Sequence, residues 1–329
     1  MRLFAPLFAV LVLVGLAAVG AEAGLHMLFG VVVPYLALAL FVVGVIWRLL
    51  SWARVPVPFR IPTTCGQQRT LPWIKQDKLE NPYTTMQVVG RMALEVLFFR
   101  SLFRNSRVEL QESRVAYADS KWLWLGAIAF HYGFLVVLLR HVRLFAEPVP
   151  AVIIGIQELD GFFQIGVPVL YLTTLVLLAG VGYLLIRRLL IPQVRYISLA
   201  NDYFPLLLLL GIVVTGILLR HFVKTDIVGV KELALGLATF APTIPAAPLH
   251  YLVYVHLFLV SVLIAYFPFS KLMHAGGVFM SPTRNLASNN RAVRHVNPWN
   301  YAVKVHTYEE YEDDFREKMK GAGIPVEKE

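Results

Sequence analysis

Long apolar runs alternate with polar segments along most of the chain, and this alternation is the first structural signal in the sequence. Six runs are long enough to cross a hydrocarbon core of about 30 Å, which takes roughly 20 helical residues. They lie near residues 3–21, 26–50, 122–145, 163–187, 202–223 and 248–273. The pattern predicts an all-α integral membrane protein with about six transmembrane helices.

Composition supports this fold class. Hydrophobic residues make up 57% of the 329 positions and charged residues only 16%, whereas about a quarter of a soluble domain is charged. The formal net charge of +9 does not by itself indicate nucleic acid, because membrane proteins concentrate Lys and Arg in their cytoplasmic loops. We therefore expect the chain to lie in a lipid bilayer and to bind no nucleic acid.

The distribution of basic residues predicts the orientation. Lys and Arg crowd the loop between the second and third runs and recur after the fourth, whereas the opposite loops hold few. Basic loops stay in the cytoplasm, so we expect both termini on the cytoplasmic side of the cytoplasmic (inner) membrane. The first run follows Arg2 and precedes "AEA" at 21–23, as in a signal peptide, but we expect it to remain as a span.

The loop at 51–121 is more than a linker. The segment "MQVVGRMALEVLFFRSLFRN" places Gln87, Arg91 and Glu95 on one helical stripe with apolar residues elsewhere, which predicts an amphipathic helix. One hypothesis is a helix lying in the membrane interface, and the other is a docking surface for a cytoplasmic partner. The tail at 276–329 ends in "YEEYEDDFREKMKGAG", whose acidic start and basic finish predict a short helix.

The cysteine count limits the cofactors. Cys65 is the single cysteine, which excludes an intramolecular disulfide, a four-cysteine iron-sulfur cluster and a C-x-x-C-H haem attachment. Nothing near Cys65 fixes a metal, so a reduced thiol without a role is the simpler hypothesis and a position at the junction with an iron-sulfur partner is the other. A cofactor of this chain must be held by histidine.

Four of the nine histidines form a pattern. His131 and His141 lie ten residues apart on the third run, and His256 and His274 lie eighteen apart on the sixth. Eighteen residues make five helical turns, so we expect His256 and His274 to face the same way. The two runs are antiparallel, which predicts one pair toward each side of the membrane. An imidazole on each face of a haem iron would satisfy such histidines and leave no coordination position for a substrate.

Alternatives to this pairing stay open. Straight, untilted helices would place His131 and His256 at closer heights than His131 and His274, and His221 would then compete for His141. A function from another class is a small transporter whose histidines relay protons. Against the transporter, the runs lack the paired Gly/Pro interruptions of broken transporter helices.

The histidine spacings of ten and eighteen, on the first and last of four successive runs, resemble the di-haem cytochrome b subunit of membrane-bound nitrate reductase, the NarI-like family. The resemblance covers residues 120–275. The whole chain is more similar to the membrane cytochromes of the Dsr complexes of sulfate-reducing and sulfur-oxidising prokaryotes. The segments that carry this are "PFRIPTTCGQQ", "AFHYGF", "LLRHVRLF", "YVHLFLV" and "FPFSKLMHAGGVFMSPTRN".

This resemblance implies an organisation in four parts. They are two N-terminal transmembrane helices at 1–50, a cytoplasmic loop with an amphipathic helix at 51–121, a NarI-like di-haem domain at 122–275 and a cytoplasmic tail at 276–329. In the domain, His131 with His274 would ligate the inner haem b and His141 with His256 the outer haem b. These four histidines are then the axial ligands of both irons.

The resemblance also implies a function and partners. Menaquinone would exchange electrons near the outer haem, and a cytoplasmic iron-sulfur subunit similar to heterodisulfide reductases would exchange them with the inner haem. Further implied partners are a multihaem cytochrome c, a periplasmic iron-sulfur protein and a second quinone-interacting membrane subunit. The chain would be an electron-transfer subunit in dissimilatory sulfur metabolism, without catalytic residues of its own. A nitrate reductase cytochrome fits less well, because it lacks the first span and the long loop.

A quinol releases two protons with its two electrons, so its site needs polar groups at the edge of the hydrocarbon beside a haem. Candidate contacts to a quinone or to haem propionates are Arg140, Arg143, Asp160, His221, Lys224 and Asp226. His221 is the best single candidate for a quinone hydrogen bond. Arg140 and Arg143 could instead snorkel or pair with propionates, and Asp160 could cap the fourth helix.

Overall fold

The computed structural model describes residues 2–55, 66–104, 107–118, 120–161, 169–223, 225–294 and 305–328. Within these ranges the chain is mostly helical, and six segments are long and apolar enough to cross a membrane. These spans are Phe4–Glu22, Leu28–Ala53, Lys121–Leu144, Leu172–Leu190, Ala200–Val223 and Tyr251–Phe269. The predicted fold class is confirmed.

The spans are built from α-helices with short irregular ends. In chain order the α-helices are α1 (Phe4–Glu22), α2 (Val33–Ala53), α3 (Thr85–Phe98), α4 (Arg100–Phe103), α5 (Lys121–His141), α6 (Ala151–Asp160), α7 (Leu172–Leu190), α8 (Pro192–Ile197), α9 (Ala200–Ile217), α10 (Ile227–Ala238), α11 (Tyr251–Tyr266), α12 (His274–Met280), α13 (Pro282–Asn285) and α14 (Tyr308–Gly321). Two π-helical segments, Leu28–Val32 and Leu218–Val223, open the second span and close the fifth. Short 3₁₀ turns occupy Val142–Leu144, Phe267–Phe269 and Lys271–Met273.

Two expectations about the spans need correction. The fourth span begins at Leu172 rather than near 163, and a separate helix, α6, precedes it. The sixth is not one straight helix reaching His274, because α11 ends at Tyr266 and Pro268 lies in the 3₁₀ turn that follows. Proline lacks the N–H that an α-helix needs, so the five-turn argument for His256 and His274 does not describe the real path between them.

We call the end of the bundle that carries the basic loop at 66–120 the inner end, after the predicted orientation, and the opposite end the outer end. The helix α11 is central, with Val255 and Leu259 fully buried against α1, α2 and α9. The helices α5 and α7 approach closely, since a Cβ at Gly180 would lie 2.9 Å from the backbone nitrogen of Phe130. Small residues permit such close packing between membrane helices, and this contact fixes the turn of α5 that carries His131.

The basic loop contains the predicted amphipathic helix, α3, and also a hairpin that the sequence did not reveal. The strands β1 (Arg107–Gln111) and β2 (Arg114–Ala118) pair antiparallel, with Val108 opposite Tyr117 and Leu110 opposite Val115. On one face of the hairpin, Val108, Leu110 and Val115 are exposed. The inner end therefore presents an apolar surface outside the spans.

The polar stripe of α3 faces inward. Arg91 and Glu95 are buried, whereas Met86, Val89 and Phe98 are exposed. Glu95 binds Arg284 of α13 at 3.1 Å, so the segment after the last span packs on the loop. The guanidinium of Arg91 has no hydrogen-bond partner among the described residues, and burial, together with the nearby Arg284, lowers its pKa. An apolar outer face fits both hypotheses for this helix, and both stay predictions.

Candidate haem sites

Two pairs of histidine rings lie at different depths of the bundle. The ring centres of His131 and His274 are 6.0 Å apart at the inner end, and those of His141 and His256 are 6.5 Å apart at the outer end. The structure therefore brings together the pairs expected for the inner and outer sites, rather than His131 with His256. Each pair combines one half-buried and one exposed histidine.

The separation within each pair fits one metal ion. Metal–imidazole bonds of about 2.0–2.1 Å, the length known for zinc, place the ring centres on two sides of one metal roughly 6.3 Å apart. The ring planes differ between the pairs: they make an angle of 89° at the inner end and 15° at the outer end. Among the described residues, no group of three or more His, Cys, Asp or Glu could hold a metal ion. The spacing of each pair fits ligation by two histidines.

Hydrogen bonds fix the inner-end rings and His141. The Nδ1 atoms of His131, His141 and His274 lie 2.7–2.8 Å from the backbone carbonyls of Ala127, Val137 and Lys271. A carbonyl oxygen can only accept, so each neutral ring carries its proton on Nδ1 and keeps the Nε2 lone pair. Metal-binding histidines usually donate their other N–H in this way.

His256 has a different partner. Its Nδ1 lies 2.8 Å from the hydroxyl of Thr215, a buried residue of α9. That hydroxyl also lies 2.8 Å from the carbonyl of Gly211 and 3.0 Å from that of Ile212. Because these carbonyls take the hydroxyl proton, the oxygen accepts from His256. The Nε2 of His256 is then also free to bind a metal.

Aromatic side chains surround the inner pair. The rings of Phe99 and Phe130 each lie 5.0 Å from His131 and meet it edge-on. Phe99 has φ 49°, in the left-handed region, between α3 and α4. The side chains of Trp124 and Tyr132 on α5 donate hydrogen bonds to the carbonyls of Phe98 and Leu97. The end of α3 is thus anchored directly beside the inner pair.

Charged side chains lie next to the outer pair. Arg140 Nε is 2.9 Å from Asp160, and both side chains are buried. Asp160 also accepts from the backbone and hydroxyl of Thr173, at 2.8 and 2.5 Å, in the first turn of α7. Asp160 is the last residue of α6 and not the N-cap of the fourth helix, which is Tyr171. It still accepts from the first turn of α7, and its ion pair with Arg140 joins α5, α6 and α7.

A stack of cations around Tyr171 extends this cluster. The guanidinium carbons of Arg140 and Arg220 lie 3.8 and 4.3 Å from the centre of the Tyr171 ring. Arg220 also donates to the carbonyl of Val169. These cation–π contacts bind the end of the fifth span to the start of the fourth. Neither Tyr171 nor Arg220 could be singled out from the sequence, because their partners come from distant segments.

The remaining candidates are spread over the outer end. Arg143 donates to Gln157 of α6 at 2.6 Å, and Asp226 caps α10 by accepting from Val228 and Gly229. His221 is half-buried in the π-helical segment Leu218–Val223. Lys224 and Cys65 lie outside the described residues.

These features match a known family. The chain belongs to the nitrate reductase gamma subunit family, whose model matches residues 82–296 and so includes all four paired histidines. Two archaeal relatives are each named Hdr-like menaquinol oxidoreductase cytochrome b-like subunit. The chain is 48% identical over 281 residues to that of Archaeoglobus fulgidus, covering 84% of both chains. It is 42% identical over 274 residues to that of Archaeoglobus profundus, covering 81% of both.

Proposed function

We propose that this protein carries electrons across a membrane between menaquinone at the outer end and an iron-sulfur protein at the inner end. The proposal rests on the two histidine pairs. Each pair is spaced for one metal, and each Nδ1 is already hydrogen-bonded. His131 with His274 would hold the inner haem b and His141 with His256 the outer one. Haem supplies one-electron chemistry when bound.

The depth of the two sites suits stepwise transfer. Ten residues of α5 separate His131 from His141, which corresponds to about 15 Å of helical rise. Both pairs share α5, and the paired ligands come from α11 and the start of α12. The four histidines would hold two haems at these two depths, where each haem would supply one-electron chemistry.

At the outer end, polar groups must receive the protons of a quinol. His221 is the candidate for the quinone hydrogen bond, since it is half-buried in a π-helical segment, and such segments are frequent at functional sites. Arg143 and Lys224 are the other candidate contacts. Arg140 and Asp160 bind each other, so we assign them the role of holding α5 and α7 together beside His141. Arg140 directly precedes His141 in the sequence and is also the candidate contact to a propionate of the outer haem.

A more specific proposal concerns the complex to which this subunit belongs. Both relatives carry names that combine "Hdr-like" with menaquinol oxidoreductase, which supports a heterodisulfide-reductase-like iron-sulfur partner for this chain. We propose a DsrM-like subunit of a Dsr-type complex in dissimilatory sulfur metabolism, with a DsrK-like cytoplasmic partner. The multihaem cytochrome c, the periplasmic iron-sulfur protein and the second quinone-interacting membrane subunit belong to the same proposal. So does an orientation with both termini cytoplasmic in the cytoplasmic membrane.

The test is the haem content of the purified protein and of two matched variants. The wild type should give a reduced-minus-oxidised spectrum of b haem, with two haems per chain after extraction. His141→Ala and His256→Ala should each lose one haem, the same one, together with reduction by a menaquinol analogue. His250→Ala is the control, since His250 caps α11 and contacts Tyr251 but belongs to neither histidine pair. A colourless protein from a haem-producing host would favour the transporter hypothesis instead.

Identification of partners tests the complex. Native purification should bring down an iron-sulfur subunit, as the Dsr-type assignment requires. Isolation with the other subunits of a nitrate reductase would replace that assignment by the nitrate reductase alternative, without affecting the haem sites.

A further inference from the structure

Three of the four paired histidines are oriented by their own segment, but His256 is oriented by another helix. The carbonyls that bind His131, His141 and His274 come three or four residues earlier in the chain. His256 is bound by α9, through the hydroxyl of Thr215, which lies 41 residues away, and by the backbone of Ile212 on the same helix. This difference distinguishes the outer pair from the inner pair.

The Thr215 hydroxyl is held in place by its own helix. The residue is 6% exposed, and its oxygen lies within 3.0 Å of two carbonyls of the preceding helical turn. With its proton directed at those carbonyls, the oxygen offers a lone pair to the Nδ1–H of His256. A hydroxyl that donates to a carbonyl is also a stronger acceptor, because hydrogen bonds in a chain polarise one another.

Gly216, next to Thr215, also shapes the site of the His256 ring. A Cβ at Gly216 would lie 3.3 Å from Cε1 of His256, which is tighter than most real contacts. Glycine therefore lets the imidazole edge approach α9 closely enough to reach Thr215. The helix changes to π geometry two residues later, at Leu218.

We propose that Thr215 is a positioning residue that sets the reduction potential of the outer haem independently of the inner one. The proposal rests on the proposed function, in which His256 is an axial ligand. An imidazole that donates a hydrogen bond gives more electron density to the iron, and this stabilises the oxidised state. Loss of the acceptor should therefore raise the potential of the outer haem.

The test compares Thr215→Val, which keeps the shape and removes the hydroxyl, with Thr215→Ser, which keeps the hydroxyl. Redox titration of the visible spectrum should show the outer haem of Thr215→Val easier to reduce by up to about tenfold in the equilibrium constant, where tenfold equals 59 mV for one electron. Thr215→Ser should match the wild type. The inner haem is the internal control and should not change in either variant.

Several results would overturn the proposal. Equal potentials for the outer haem in Thr215→Val and the wild type would do so, and so would equal shifts of both haems. If Thr215→Val does not accumulate, Gly216→Ala decides, because its methyl group should displace the His256 ring and shift the outer haem alone. An unchanged outer haem in that variant would contradict the proposal. A haem-free wild type would instead contradict the proposed function itself.

Discussion

The two histidine pairs share α5 but lie in different surroundings. The inner pair has perpendicular rings, backbone hydrogen-bond partners and an aromatic shell that includes Phe99 and Phe130. The outer pair has nearly parallel rings, a hydroxyl partner from another helix, and the charged cluster of Arg140 and Asp160 beside it. The inner surroundings suit electron transfer alone, whereas the outer ones also hold the charged and polar groups that the proposed quinol site needs.

The largest expected effect comes from removing one inner ligand. We expect His131→Ala or His274→Ala to abolish electron transfer to an acceptor at the inner end, because the inner haem is lost. Rapid mixing with a menaquinol analogue should still reduce the outer haem in both variants. If these variants lost reduction by quinol and kept transfer to the inner acceptor, the two ends would have to be exchanged.

A smaller effect is expected from the charged cluster at the outer end. Asp160→Asn leaves the buried Arg140 without its counter-charge, and breaking a buried ion pair costs about 3–5 kcal/mol of folding free energy. The midpoint of thermal unfolding in detergent should fall clearly. The control is Asp226→Asn at an exposed helix start of the same end, where asparagine caps as well as aspartate does.

Equal losses in the Asp160→Asn and Asp226→Asn variants would contradict the role of the Arg140–Asp160 pair. The Asp160→Asn substitution should also change the spectrum of the outer haem more than that of the inner haem, because Arg140 is adjacent to His141.

The smallest effect concerns the tail, which should affect neither haem. The backbone N–H groups of Glu327 and Lys328, followed by Arg316, lower the pKa of Glu312 in α14. A carboxylate whose pKa is lowered in the folded state stabilises the fold at pH values above its ordinary pKa, which is about 4.3 for glutamate. That contribution is lost as the pH falls through the folded-state pKa. Hydrogen exchange of 308–321, corrected for intrinsic rates, should accelerate on acidification, and Glu312→Gln should remove most of this dependence. If acid changed the spectrum of either haem and Glu312→Gln removed that change, the expectation that the tail affects neither haem would be contradicted.

The sequence predicted those parts of the structure that depend on one segment at a time. Continuous apolar runs identified the spans, and the spacing of His131, His141, His256 and His274 indicated two sites. The start of the fourth span was misplaced because the apolar sequence continues upstream of Leu172 to residue 163, so the pattern does not mark where the helix begins. The hairpin was missed because its turn, Glu112 and Ser113, lacks the glycine that usually marks one, although Glu112 has a φ of 56°.

The parts that could not be predicted involve partners on separate helices. Thr215 is one hydroxyl in an apolar run, and a polar residue there is a weak signal at best. Its role appears only when α9 packs beside His256. The role of Arg220 and Tyr171 likewise depends on one cation–π contact between two spans. The inward polar stripe of α3 depends on Arg284, which lies 189 residues beyond Glu95.

The most direct test is the low-temperature electron paramagnetic resonance spectrum of the fully oxidised protein. Perpendicular imidazole planes leave two iron d orbitals nearly equal in energy and give a highly anisotropic low-spin signal, whereas parallel planes separate them and give a rhombic one. From ring angles of 89° and 15° we predict one signal of each kind in equal amounts, the anisotropic one lost in His131→Ala and the rhombic one in His256→Ala. A single low-spin signal, or a stoichiometric high-spin haem with an open axial position, would contradict two sites that are each held by two histidines.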